Sequence, residues 1–171
     1  MSAPIFVDTN ILVYARQENE RLKQPVAAQW MERLWREQLG RLSLQVLSEY
    51  YVTVTRKIKP RRSAADAWDD VRDFFSWNPQ PTDSELLLRA REVEQRHQLS
   101  WWDSLIVGAA QLQNCVLLLT EDFQHNAVYG NVTVRNPFVM AVSEDTPEYS
   151  VTRTSSRGHP RRGRPKRPMS A

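Results

Sequence analysis

Apolar residues along the chain follow two rhythms. Short unbroken runs, Ile5-Phe6-Val7 and Cys115 to Leu119, read as buried strands. Longer stretches carry apolar residues at helical spacing. Val26, Ala27, Trp30, Met31, Leu34 and Trp35 predict a helix over 24–39, with Pro25 in its first turn and Gly40 as its stop. Leu47, Tyr50, Tyr51, Val54 and Ile58 predict another over 45–58, although its Val, Thr and Tyr content would also suit a strand. Lys59-Pro60-Arg61-Arg62 breaks the pattern, and Ser63 caps a helix running to about Phe75. Pro79 and Pro81 make 77–81 extended. Thr82 or Asp83 caps a helix ending near His97, and 103–113 is a helix with the small face Gly108, Ala109, Ala110. Short strands are expected at 41–44 and 132–134, and a helical turn at 121–126.

Strands alternating with helices predict an α/β fold: a central, mainly parallel sheet flanked by helices in three layers. Sites in such sheets form beyond the carboxyl ends of the strands. Asp8 and Asp122 follow two of the strands and fall at that edge. After Met140 the composition turns to Ser, Thr, Pro, Gly and Arg. We therefore expect one folded domain over 1–140 and a disordered basic tail over 141–171. There are no internal repeats.

Composition adds limits. With 41% hydrophobic and 25% charged residues, the chain is an ordinary soluble domain by content. The run ending at Leu119 is far shorter than the ~18 residues of a membrane span, and no signal peptide is expected. A lone Cys115 reads as a small core residue in a reducing cytoplasm. The net charge of +3 conceals a split. Residues 151–171 hold seven basic side chains and no acid, so the other 150 residues carry 16 basic and all 20 acidic ones. An acidic body with a basic arm suggests that the arm contacts something anionic or folds back on the body.

Four acids stand in settings that a solvated acid does not need. Asp8 follows Ile5-Phe6-Val7, Glu49 lies within Leu47-Ser48-Glu49-Tyr50-Tyr51-Val52, Asp103 within Trp101-Trp102-Asp103-Ser104-Leu105-Ile106, and Asp122 after the run ending at Leu119. Taken singly, Asp8, Asp103 and Asp122 would each also serve as a helix N-cap. Glu49 would not, being inside a helix. Buried carboxylates need a partner, and no Lys or Arg recurs beside these four. A divalent cation is the common partner for several carboxylates, and hard oxygen ligands select Mg2+ or Mn2+. Such sites hydrolyse phosphodiesters.

These segments resemble a known family. Ile5-Phe6-Val7-Asp8-Thr9-Asn10-Ile11-Leu12 is similar to the opening motif of PIN-domain nucleases, Leu44-Gln45-Val46-Leu47-Ser48-Glu49-Tyr50 to the second, Trp102-Asp103-Ser104-Leu105-Ile106 to the third, and Leu119-Thr120-Glu121-Asp122 to the fourth. The resemblance spans about 4–138 and is strongest to VapC-like toxins of type II toxin–antitoxin pairs, which share the ending Val134-Arg135-Asn136-Pro137-Phe138. It implies a cytoplasmic Mg2+- or Mn2+-dependent ribonuclease silenced by a small antitoxin, with catalytic and metal roles on Asp8, Glu49, Asp103 and Asp122. Asn10 and Thr120 match supporting positions. Asn126 stands where Gly is expected, and Asn tolerates the same left-handed turn. A homodimer and DNA contact are further partner candidates; a membrane is not.

Two rival readings stay open: an RNA-processing PIN nuclease without an antitoxin, and an inactive module that binds nucleic acid through its tail. Four clustered carboxylates would repel phosphate and argue against the second. The tail sequence Arg161-Arg162-Gly163-Arg164-Pro165-Lys166, followed by Arg167, resembles an AT-hook for A/T-rich minor grooves. Among weaker candidates, Asp66, Asp69, Asp70 and Asp73 read as a solvated helix face. His125 is a loop histidine within reach of a phosphate. The tryptophans fall mostly on core stripes, with Trp101 or Trp102 free to stack on a base or to pack in the core or a partner's groove.

Overall fold

Three consecutive buried apolar residues make β1 (Ile5–Val7) a strand covered on both faces, as an interior parallel strand must be. In the computed structural model, which describes residues 2–139, β1 pairs in parallel with β2 (Gly40–Arg41) on one side and β3 (Leu117–Leu119) on the other. β3 pairs in parallel with β5 (Val132–Arg135), and β4 (Val128–Tyr129) adds an antiparallel edge, giving the order β2-β1-β3-β5-β4. The sheet is thus mainly parallel, as expected. The basic segment 141–171, with Arg161, Arg162, Arg164, Lys166 and Arg167, lies outside the described residues.

Helices α1 (Thr9–Ala15), α2 (Lys23–Glu37), α3 (Leu44–Val52), α4 (Ala64–Phe74), α5 (Ser84–His97) and α6 (Trp101–Leu112) connect and flank the strands. α1 packs on α2 and α3, and α6 packs on α5, β3 and β5. Caps set the starts. Asp8, Ser43, Ser63, Asp83 and Ser100 each accept a backbone N–H of the first turn, which satisfies a donor the helix leaves free. Phe6, Ile11, Leu34, Val46, Leu86 and Leu118 are fully buried and join both helical layers to the sheet. Among the described residues no helix is long and apolar enough to cross a membrane.

Several boundaries differ from the sequence reading. α2 ends at Glu37 because Gln38, not Gly40, takes the left-handed turn at φ 56°. Gly40 has another duty: a Cβ there would lie 2.3 Å from the Trp77 ring, so only glycine admits that ring against β2. The strand expected over 41–44 stops at Arg41, since Ser43 is already the cap of α3. α3 gives way at Thr53 to a π-helical turn, Thr53–Lys57. Residues 121–126 bend without forming a helix. The small hairpin strand β4 was not expected; Gly130 at φ 65° makes its turn.

Two side-chain readings also change. Only Trp77 of the tryptophans is buried, while Trp68 and Trp102 are at least half exposed. Trp101 packs against the core as a partly buried residue. Asp70 is not solvated. It is 6% exposed, accepts from Tyr50 Oη at 2.6 Å and Arg16 Nη2 at 2.7 Å, and pairs with Arg62 Nε at 3.1 Å. That last contact has the distance of an ion pair without hydrogen-bond alignment. Asp66, Asp69 and Asp73 remain exposed, as expected for that helix face.

Candidate functional site: an acid cluster at the strand ends

β1 delivers Asp8 to the carboxyl edge of the sheet, where it caps α1 and is 6% exposed. One carboxylate oxygen accepts from Thr9 N at 2.7 Å and the other from Thr120 Oγ1 at 2.8 Å. Thr120 follows β3, the neighbour of β1, so parallel pairing sets the two residues side by side. Burial pushes the Asp8 carboxyl up to about 7. The two hydrogen bonds pull it down, and the nearby Asp122 and Glu49 charges push it up further. No cation among the described residues offsets that burial.

The Thr120 hydroxyl is a hub. It donates to Asp8 and accepts from Asn10 Nδ2 and Asp122 N, each at 3.1 Å. Asn10 Nδ2 also donates to Asp122 Oδ2 at 3.1 Å. Both amide hydrogens are therefore committed, and both acceptors require donors, which fixes the amide orientation. Asn10 Oδ1 is left buried without a hydrogen-bond partner. Glu49 reaches the group from α3: Thr9 Oγ1 donates to its Oε2 at 3.2 Å, and Gln45 Nε2 to its Oε1 at 3.1 Å. Asn10, Glu49 and Asp122 line an open cleft of about 520 Å³, together with Thr9, Tyr14 and Thr53. No Lys or Arg lines it among the described residues.

Asp8, Glu49 and Asp122 thus come together, with Asn10 and Thr120 between them. Asp103 is not joined to them by a hydrogen bond, an ion pair or the cleft wall among the described residues. It sits in the first turn of α6, where Ser100 is the cap and a carboxylate suits the helix dipole. Its charge, after burial, helps to raise the Tyr129 hydroxyl above its usual value. Tyr129 packs on Phe123, the residue after Asp122. His125 Nδ1 accepts from Asn136 N at 3.1 Å, which ties up the ring within its loop.

Sequence reasoning passed over Thr9 and a trio at the cleft rim. Tyr14 Oη donates to Glu121 Oε1, and Lys23 Nζ donates to Glu121 Oε2 at 2.6 Å and to Tyr14 Oη at 3.1 Å. The position of Tyr14, four residues after Asn10 on α1, was the available signal, because such residues share a helix face. Nothing local marks Lys23.

The donor set suits a hard divalent cation: three carboxylates and an amide oxygen with no partner. As they stand, no three His, Cys, Asp or Glu side chains are close enough to hold an ion among the described residues. The fit is therefore one of chemistry and orientation, with Glu49 and Asp122 on the cleft wall able to approach Asp8.

The chain belongs to the PIN domain family, whose model matches residues 5–131. No curated relative matches it. Three solved structures share the fold. A toxin–antitoxin complex from Klebsiella pneumoniae aligns at 21% identity over 80% of this chain and 98% of that one, with a TM-score of 0.56. VapBC2 from Rickettsia felis, bound to a DNA fragment from its promoter, aligns at 18% identity over 77% and 97%, with a TM-score of 0.55. Mycobacterium tuberculosis VapC20, a sarcin–ricin loop cleaving toxin, aligns at 20% identity over 80% and 94%, with a TM-score of 0.52. At these identities the likeness carries the fold alone.

Proposed function

We propose that this PIN-domain protein is a divalent-cation-dependent endoribonuclease, the toxin of a toxin–antitoxin pair, held in check by a small antitoxin. One observation carries the nuclease reading. A buried aspartate with no cation beside it among the described residues stands next to two further carboxylates at the strand ends of a PIN fold. The toxin reading draws on the structural neighbours, two of which are toxin–antitoxin complexes and one a sarcin–ricin loop cleaving toxin.

In this reading Asp8, Asp122 and Glu49 hold the cation, with Asp103 joining from the first turn of α6. Mg2+ or Mn2+ bound there would polarise water and offset charge on the reacting phosphate. The residues of the chain do the rest. Thr120 and Thr9 fix the Asp8 oxygens, so that the carboxylate is aimed before any ligand arrives. Asn10 orients Asp122 and offers Oδ1. Asp8, its carboxyl pushed up to about 7 by burial, gives up its proton more readily when a positive charge stands beside it. Asp8 and its partners are preorganised, and the open cleft admits a strand of RNA.

The direct test is cleavage of single-stranded and loop RNA by the purified full chain. We expect cutting with Mg2+ or Mn2+ and none in EDTA, with 5′-phosphate ends. Undiminished cutting in EDTA would end the metal reading. Absence of cutting with either ion across a transcriptome-derived RNA pool would end the nuclease reading.

A further inference from the structure

A carboxylate cluster repels the polyanion it is to cut, so a ribonuclease needs a cation close by to hold the RNA backbone. Among the described residues the cleft wall supplies none. Directly behind one of its lining residues stands Lys23. Its Nζ lies 3.1 Å from Tyr14 Oη, 4.6 Å from the Tyr14 ring centroid and 5.4 Å from the Phe138 ring centroid. Two rings therefore hold the side chain, and a third of it remains exposed.

Lys23 is the first residue of α2, and that first turn contains no acid. A cation there adds to the positive end of the helix dipole, so helix stability does not favour it. What meets the charge is Glu121, at 2.6 Å. Glu121 immediately precedes Asp122, and Tyr14 stands one turn along α1 from Asn10, the partner of Asp122. Those four residues rise about 6 Å along the helix, so the side chains of Asn10 and Tyr14 lie on one face of α1.

We propose that Lys23 and Tyr14 form a backbone-phosphate subsite for RNA beside the cleft that Glu49 and Asp122 line, and that Glu121 occupies this subsite until a phosphate displaces it. The ammonium and the phenol hydroxyl are both donors released by the exchange. Glu121 is a carboxylate place-holder that keeps the subsite closed to weak anions. This assignment rests on the nuclease reading above.

A plain structural salt bridge predicts a different pattern. There, losing either partner harms the protein in the same direction. A subsite with a place-holder makes the two substitutions opposite in sign. The experiment measures binding of a fluorescent single-stranded RNA oligonucleotide to the full chain in EDTA, across a salt series, with melting temperatures for each variant. Lys23→Gln is expected to weaken binding about tenfold and to flatten the slope of log K against log salt by about 0.7. Glu121→Gln is expected to tighten binding about threefold by removing the competing charge. Tyr14→Phe is expected to weaken it about threefold. Equal binding by Lys23→Gln and wild type, or weaker binding by Glu121→Gln, overturns the subsite. Should Lys23→Gln fold poorly, the sign of the Glu121→Gln effect still decides. A wild-type chain that binds no RNA overturns the subsite and leaves the nuclease reading to the cleavage test with Mg2+ or Mn2+, and a wild type that binds with a Lys23→Gln that binds equally likewise removes the subsite alone.

Discussion

Asp8 and Asp70 are each 6% exposed, yet the fold treats them in opposite ways. Asp70 meets two guanidinium groups, from Arg16 and Arg62, and the Tyr50 hydroxyl. Its charge is answered within the chain, and the answer ties α1, α3 and α4 together. Asp8 meets a hydroxyl and one backbone N–H, while its charged neighbours are Asp122 and Glu49. Among the described residues no cation answers its charge. The difference teaches how to separate structural from functional buried acids. Burial is common to both, and under the proposed function the lack of a cation among the described residues marks the one that awaits a ligand.

The largest expected effect sharpens this contrast. Asp8→Asn keeps the shape of the side chain but removes the charge a cation would need, so cleavage should fall on the order of a thousandfold. Asp70→Asn should leave kcat within about tenfold, because Asp70 lies outside the cleft wall. Single-turnover rates at saturating Mg2+ measure both. Comparable losses in the two variants would break the comparison.

Acidity gives the next test. The Asp8 carboxyl titrates at about 7 in the folded protein against 3.8 for the unperturbed group. Between these values the folded chain holds a proton that the unfolded chain has released. The metal-free protein should therefore lose stability as pH rises from about 4 to about 7, by about 4 kcal/mol at most, and Asp8 should contribute no further slope above that. Mg2+ should offset the loss by binding the ionised form. Denaturant melts in EDTA and in Mg2+, compared with Asp8→Asn, isolate the contribution. A wild-type slope unchanged in Asp8→Asn would assign the effect to other groups.

Both acids illustrate what local sequence can carry. Asp8 and Asp122 were legible because each ends a buried apolar strand, and a parallel sheet puts strand ends on one edge. Glu49 was legible because it lies next to a buried stripe. Asp70 was misread, since Asp66, Asp69, Asp70 and Asp73 recur as one polar helix face. The partners that bury Asp70 come from α1 and from the segment before Ser63, and local pattern does not reveal such pairings. Lys23 was missed for the same reason: its meaning lies in Tyr14, Glu121 and Phe138, which only the fold assembles. The mainly parallel pairing followed from alternation, whereas the end of α2 did not, because Gln38 adopted a conformation for which Gly40 looked the better candidate.

Removing the Asp70 charge should be felt in stability. Asp70→Asn leaves Arg16 and Arg62 without their carboxylate. Breaking a buried pair in this way costs about 3 kcal/mol, at the lower end of the usual range because the Arg16 side chain is half exposed and can turn to water. For a chain of this size that lowers the melting temperature by roughly 10 °C. Metal should not restore it. Full rescue of Asp70→Asn by Mg2+ would place Asp70 in the cation site and dissolve the distinction.

The smallest effects come from a matched pair of hydroxyl deletions, one beside each acid. Tyr50→Phe takes one donor from Asp70, which keeps both arginines, so the cost should be about 1 kcal/mol with unchanged metal affinity. Thr120→Val takes one donor from Asp8 and also the acceptor shared by Asn10 and Asp122. It should cost somewhat more, about 2 kcal/mol, since three hydrogen bonds meet at that oxygen. Its diagnostic effect lies in protonation. The Thr120 bond is one of those holding the Asp8 carboxyl down against its burial, so without it the group titrates above about 7. At neutral pH a cation must then expel a proton to bind, and its apparent affinity should fall and recover as the pH is raised. Tyr50→Phe should show no such pH-dependent recovery. Calorimetric titration of Mg2+ or Mn2+ into both variants at two pH values reads the difference. The same metal affinity and pH response in the two variants would mean that the hydroxyl beside Asp8 does no more than the one beside Asp70, and that a missing internal cation does not mark the working acid.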